Sequence, residues 1–374
     1  SEVAYYIHFN KEYPINAEHI NTVIENYCQY YDNRYLTAAR FTEIAVASGL
    51  LLRTPSGYEY RFTSKNHLAY FVAKALNRKF HDTNDTTDLE TIVRQSCFSI
   101  NGDILLFMTY ISDNVSIPRL LLEQAVSYVS EWTEFDISNI SIKYLQSMPT
   151  KELTPPKDNE KAQKIHDQAI EEEEHDAPIE TLDIYDYDET QIDKLNNQLI
   201  RALLQLKIIA RNFSAFISIL PAAAKKDYVL AMYQAPNKIF NQWAESVDNS
   251  LDHLIEDIVE WQETPEFDGK KFSKEDILRF FQEVSLNLLL NLYFTVSSYG
   301  ANDSTVDYLA QQSYITSSLN YQIERLMFYE KVDDYQAVIK NAETLYIKLD
   351  DGMAKNMVLS ILRHIVVHSD RILD

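Results

Sequence analysis

The chain has 374 residues, 46% of them apolar, and a formal net charge of −22. That length supports a buried core and two or three domains. So acidic a balance repels nucleic acid and anionic membrane over most of the surface and favours basic partners.

In the first region, residues 1–80, a helix is predicted over Ala17–Tyr31, after Pro14 and the capping candidate Asn16. Its apolar positions Ile20, Val23, Ile24 and Tyr27 recur at helical spacing. A second helix, Thr37–Ser48, stops at Gly49, a residue suited to the left-handed conformation that ends helices. Leu50–Thr54 and Tyr58–Phe62 then read as two short strands around the turn Pro55-Ser56-Gly57. Ser64 caps a helix expected to run through Leu76. Helix, helix, hairpin, helix is the order of a winged-helix unit.

Residues 81–149 read as a helical domain with helices over Thr87–Cys97, Asp103–Ser112 and Pro118–Trp132, broken at Asn101-Gly102 and Asp113-Asn114. Residues 150–188 differ in kind. Pro155-Pro156, the run Glu171–Glu174 and the alternation Asp183-Ile184-Tyr185-Asp186-Tyr187-Asp188 carry high charge and little apolar content. The expectation is a flexible acidic linker. Residues 189–374 return to amphipathic helices, about seven in antiparallel succession. Their stripes are Leu195, Leu199, Leu203, Leu206 and Ala210; then Leu251, Leu254, Ile255, Ile258 and Val259; then Ile277, Phe280, Phe281, Val284 and Leu288. Breaks are expected at Pro221, Pro236 and Pro265, at Asn302-Asp303, at Asp333-Asp334 and at Asp350-Asp351-Gly352. The fold expected is thus mainly α, a winged-helix unit with a short β-hairpin followed by helical-hairpin arrays or bundles.

The longest apolar stretch, Leu286–Val296, is interrupted by Asn287 and Asn291 and reads as a buried core helix, too short for a bilayer. The opening Ser-Glu-Val-Ala has no signal-peptide pattern and no initiating methionine, so upstream sequence is expected to carry any activity. Cys28 and Cys97 form no CxxC pair, which argues against a disulfide framework or thiolate zinc site and for a reducing cytoplasm. Six glycines leave little material for phosphate-cradling loops. Gly300–Thr305 lacks the second glycine and the lysine of a P-loop, and no GxSxG, HExxH or EF-hand pattern is present. No cofactor or metal is expected. His166 and His175, among the linker's carboxylates, lack a preformed ligand geometry.

Arg363 and His368 are the sharpest chemical suggestion. Arg-x4-His resembles the motif of HEPN ribonucleases, in which two such helices face each other and the pair acts on an RNA phosphodiester. About one turn apart, the two residues are read as sharing a helix face. The opposing reading is a surface arginine with a histidine compensating a helix C-terminus. As a DNA reader, the second helix offers Arg40 and Glu43 among alanines and Ile44, with Arg34, Arg53, Arg61, Lys65, Lys74, Arg78 and Lys79 around it. Packing against protein is the stronger reading. The tyrosines, including the cluster Tyr27, Tyr30, Tyr31 and Tyr35, read mostly as half-buried packing residues with a solvent-reaching hydroxyl, and a partner surface at that cluster is the alternative.

Tyr60-Arg61-Phe62, followed by Leu68-Ala69-Tyr70-Phe71-Val72-Ala73-Lys74-Ala75-Leu76, resembles the winged helix that follows the ATPase core of bacterial STAND-type NTPases, relatives of NACHT proteins. There the helix reads close to EYFxA; here Ala69 stands for the glutamate. Cys97–Phe107 is also similar to segments downstream of such cores. The resemblance covers about the first 150 residues. It implies a regulatory and sensing region that packs on an upstream ATPase core, binds a protein partner, supports assembly as a possible homo-oligomer, and acts in anti-phage defence. In some members a winged-helix histidine contacts nucleotide; His67 is nearest in sequence, and that role is not carried over. The expected partners are proteins, with nucleic acid disfavoured and no membrane. A ribonuclease in residues 189–374 and a DNA-binding regulator remain the alternatives.

Overall fold

The computed structural model describes residues 1–83, 85–95, 100–111, 116–150, 197–264, 269, 271–350 and 352–368. Among the described residues the chain is mainly helical with one small antiparallel sheet. It divides into two units, Ser1–Gln124 with Thr181–Asn197, and Ala125–Glu180 with Gln198–Asp374. Residues 151–188 of the expected acidic linker, with His166 and His175, lie outside the described residues, as do Cys97 and Pro265.

The first unit opens with two elements that periodicity did not suggest, α1 (Glu2–Asn10) and the two-residue β1 (Ile15–Asn16). In α2 (Ala17–Tyr30) the Asn16 side chain accepts the His19 N–H at 2.8 Å, and Ile20, Val23 and Ile24 are buried. Thr37 caps α3 (Ala38–Ala47) by accepting the Arg40 N–H at 3.2 Å, and Gly49 follows at φ +70. Then come β2 (Leu51–Arg53) and β3 (Glu59–Phe62), turned by Gly57 at φ +77. The sheet order is β1-β3-β2, with Leu51 opposite Phe62 and Ile15 opposite Tyr60. All four of these side chains are buried, as are Leu68 and Val72 of α4 (Lys65–Thr83). One sheet face therefore closes on the core, while Leu52 and Arg61 of the other face are exposed.

α5 (Thr87–Arg94) and α6 (Asn101–Ile111) follow, and α6 packs along α4 through Ile104, Leu105 and Met108. Asn101-Gly102 is not a break but the first turn of α6. Helix-start N–H groups need no intrahelical acceptor, so weak helix formers are tolerated there. The buried Asn101 amide donates to Gln95 O at 3.0 Å and ties the helix start to the preceding turn. α7 (Ser116–Ser127) leads into the second unit.

That unit contains α8 (Lys143–Gln146) and seven α-helices among its described residues: α9 (Asn197–Phe216), α10 (Ala222–Trp261), α11 (Lys274–Gly300), α12 (Asp303–Ala310), α13 (Leu319–Lys331), α14 (Tyr335–Lys348) and α15 (Met353–His368). α10 packs on α11, α11 on α13, α13 on α14, and α15 returns onto α11 and α13. Leu286–Val296 lies within α11, where Leu286, Leu289, Leu292, Tyr293 and Val296 are buried. No helix of the described residues is long and apolar enough to cross a membrane. Pro236 breaks nothing: it sits inside the 40-residue α10. Its ring removes one backbone donor. Tyr233, Pro236, Asn237 and Phe240 are buried around the gap, and the Asn237 amide donates to Tyr233 O at 2.7 Å.

α11 begins with a capping box in which Ser273 and Asp276 satisfy each other's backbone N–H groups. Ser273→Ala is expected to lower the stability of this unit by about 1 kcal/mol, measured as a shift of the urea midpoint at constant slope.

Residues 133–150 are mostly irregular and run along the second unit as a strap. Phe135 N donates to Asn237 O at 3.2 Å and Ile137 N to Asn320 Oδ1 at 3.0 Å. Tyr144 N donates to Asp248 at 3.2 Å, Gln282 to Tyr144 O at 2.7 Å, and Asn356 to Pro149 O at 2.8 Å. Helix side chains thus satisfy a backbone that has no ladder of its own.

Candidate functional site

The described surface of the first unit contains one concave feature built from residues singled out in the sequence. Tyr27, Tyr30 and Tyr31 of α2 and its C-terminus meet Tyr5 and Tyr6 of α1 across a groove of about 480 Å³, with Arg78, Lys79 and Asp82 of α4 along its edge. Tyr30 and Tyr31 are 74% and 44% exposed, so their rings are available to a partner rather than spent on the core. Tyr35 is 86% exposed beyond it.

The charges of the groove are paired internally. Arg78 pairs with Glu2 and lies 5.7 Å from the Tyr31 ring centre. Lys79 Nζ lies 2.5 Å from Asp88 Oδ2, where the Tyr5 hydroxyl also donates at 2.5 Å. The hydrogen bond to Asp88 raises the Lys79 pKa despite burial, and burial raises that of Tyr5, with the bond to Asp88 adding to it. Lysine stays charged and tyrosine neutral through the physiological range, so the groove offers aromatic faces and hydroxyls with little net charge. Such a surface suits packing and neutral hydrogen bonding more than phosphate capture. Tyr5 and Arg78 were not legible as members of this site, because they come from helices remote in sequence from the tyrosine cluster.

The solvent side of α3 is equally informative. Ile44 is 56% exposed and Val46 39%, with Ala39 and Ala47 also facing outward and Leu52 of β2 44% exposed. Arg40 donates to Tyr35 O at 3.5 Å, Arg53 to Gly57 O at 2.7 Å, and Arg34 pairs with Asp32 at 3.3 Å. The first 83 residues hold nine Lys/Arg and eight Asp/Glu, so the net negative charge of the chain is carried by the rest. An apolar patch on a near-neutral stretch of chain is a protein-facing composition, and base readout requires polar side chains presented in a row.

No family model, curated protein or solved structure matches the chain. Function therefore rests on the residues themselves.

Both residues of the Arg-x4-His pair lie on α15, where His368 is the last residue. Five positions along an α-helix are roughly 140° apart around its axis, so the shared face expected of them is not produced by the helix. Arg363 is exposed. The inward polar contact of α15 is made by His364, whose Nε2 is 3.6 Å from Glu330 and whose ring meets Phe294 edge-on at 6.0 Å. Burial pushes the Glu330 pKa up, but His364 and Lys331 outweigh it and hold the carboxyl below its usual value. His67, on α4, has its Nδ1 2.9 Å from Thr63 Oγ1 at the start of that helix. Cys28 donates to Leu36 O at 3.3 Å. Among the described residues no group of three or more His, Cys, Asp or Glu side chains is placed to hold a metal ion.

Proposed function

We propose that this chain is the regulatory and protein-interaction part of a STAND-type signalling NTPase, with its first unit a winged helix that packs on an ATPase core and its second unit a sensing or assembly region. The supporting observation is the order α1-β1-α2-α3-β2-β3 with sheet order β1-β3-β2, combined with an α3 whose outward face carries Ile44 and Val46. That is winged-helix order with an apolar face where a DNA reader would carry polar ones. Tyr70 and Phe71, the carriers of the resemblance, sit where α4 meets the sheet and α6: Phe71 is 6.2 Å from Phe62 and Tyr70 5.7 Å from Phe107. The reading places the chain in bacterial anti-phage defence, in the cytoplasm, without a catalytic centre or cofactor of its own.

The test is made in the full-length protein. An ATPase core is expected ahead of residue 1, and Ile44→Asp with Val46→Asp is expected to change its basal ATP turnover about tenfold by loosening the α3 contact. A full-length polypeptide with no nucleotide-binding domain, or turnover unchanged by a well-folded double variant, sinks the proposal.

A further inference from the structure

The second and third apolar stripes of the sequence are wider than the core they meet. Of the second, Leu251 is buried, while Leu254, Ile255, Ile258 and Val259 stay half-buried. Of the third, Ile277 is buried, Phe281, Val284 and Leu288 are half-buried, and Phe280 is 61% exposed. Both belong to the end of the α10/α11 hairpin, where Trp261 and Phe272 are 56% and 53% exposed. There the Gln262 amide group accepts from Phe272 N at 2.5 Å and donates to Phe272 O at 3.3 Å. A two-helix hairpin buries only the seam between its helices, so a stripe this broad leaves one side of the arm apolar and uncovered by the described residues.

The charge around that stripe says what suits it. From Leu251 to Thr264 the chain has five carboxylates and no lysine or arginine. Asp252 and Glu256 run along one flank at helical spacing, Asp257 lies on the other, and all three are exposed, while Glu263 is paired with Lys271 at 2.7 Å. A second copy laid with its α10 on this α10 would set carboxylates against carboxylates, with Lys274 and Arg279 exposed only on the α11 side, and anionic lipid or nucleic acid would meet the same repulsion along α10. A helix with apolar residues at positions i, i+4 and i+7 and Lys or Arg on both sides matches apolar stripe and acidic flanks together.

We propose that the distal half of α10, with Phe280 of α11, is a docking face for a basic amphipathic helix of a partner protein. This inference rests on the second unit alone and is independent of the STAND-type reading of the first.

The probe is a fluorescent Lys/Leu peptide of about 18 residues patterned as an amphipathic helix, titrated with the full chain. Its controls are a scrambled peptide of the same composition and a Glu/Leu counterpart. The full chain is expected to bind the patterned peptide saturably, one to one, and the scrambled one at least about tenfold more weakly. The double variant Ile258→Ser with Phe280→Ser, whose fold is checked by circular dichroism and melting, is expected to lose about tenfold in affinity. Equal binding of scrambled and patterned peptides would mean charge alone and overturns the proposal, as does unchanged affinity of the folded variant. Sedimentation of the chain alone decides the remaining rival. A concentration-dependent dimer abolished by the same two substitutions would make a second copy the occupant and overturn the proposal too.

Discussion

Asn320→Ala is expected to cost the second unit about 4 kcal/mol, because one side chain closes a buried network that nothing else can close. The Asn320 amide donates to Phe135 O at 3.0 Å and to Asn237 Oδ1 at 2.7 Å, and its carbonyl accepts the Ile137 N–H at 3.0 Å. Tyr293 donates to the same Asn237 oxygen at 2.6 Å. Asn320 is 3% exposed and Asn237 and Tyr293 are fully buried, so water does not replace a lost partner without a cavity to hold it. Truncation to alanine orphans the Phe135 carbonyl and the Ile137 amide, each worth about 1–3 kcal/mol when buried and unpaired. Asn237 Oδ1 keeps Tyr293, so Tyr293→Phe is the milder change, about 1 kcal/mol, with the Asn320 amide still in place. With two units in one chain, a single melting temperature mixes events. The decisive reading is amide exchange at Ile137, which should accelerate by orders of magnitude in Asn320→Ala and little in Tyr293→Phe. Protection of Ile137 that survives the alanine would mean the strap is held by something other than this network.

That network also marks the limit of what the sequence discloses. Local chemistry was legible where the determinant is local. Asn16 caps the helix that follows it, Gly49 and Gly57 take positive φ, and β2 and β3 flank the expected turn, whereas Thr37, read as the first residue of its helix, is its cap. The two-residue β1 was invisible, because its pairing with Tyr60 and Glu59 is made across more than forty residues. Pro236 looked like a break because propensity argues for one, yet burial on all sides decides otherwise. The strap of residues 133–150 carries no periodicity at all. Its path is fixed by Asn237, Asp248, Gln282, Asn320 and Asn356, which lie 102 to 207 positions away from the groups they bind. At the tyrosine groove, the cluster on α2 could be read, whereas its wall of Tyr5, Arg78 and Lys79 exists only once α1 and α4 pack beside it. The Arg363 and His368 pattern was legible as letters, but helix geometry separates the two around the axis. Glu324 could have been noticed: it occupies an apolar-periodic position between Asn320 and Phe328, in a helix where those neighbours are buried.

Glu324 is expected to destabilise the second unit at neutral pH, so its replacement by an uncharged residue should strengthen the fold. The side chain is completely buried, and neither carboxyl oxygen has a hydrogen-bond partner. Burial, and then the charge of Glu134, hold its pKa well above the ordinary 4.5. The neighbouring groups do not relieve it. Glu134 accepts the Tyr321 hydroxyl at 2.8 Å, Arg325 turns its guanidinium to the Tyr329 ring at 5.8 Å, and the buried Tyr233 hydroxyl has no partner. Because the folded value exceeds the unfolded one, the folded chain keeps a proton that the unfolded chain releases across that window. Stability is therefore greatest below about pH 4.5 and falls as pH rises towards the folded value, by up to about 1.4 kcal/mol per pH unit. Glu324→Gln is neutral in both states and lacks this slope. Urea unfolding at a series of pH values should show the variant gaining on the parent as pH rises from about 4.5 to 8, on top of a pH-independent offset. Glu324→Met, which brings no unpaired polar atom into the same volume, should gain at least as much. Parallel pH profiles for parent and Glu324→Gln would mean that the carboxyl ionises inside the folded unit without penalty, which requires a partner for it that the packing of α13 against α10 and the strap does not supply.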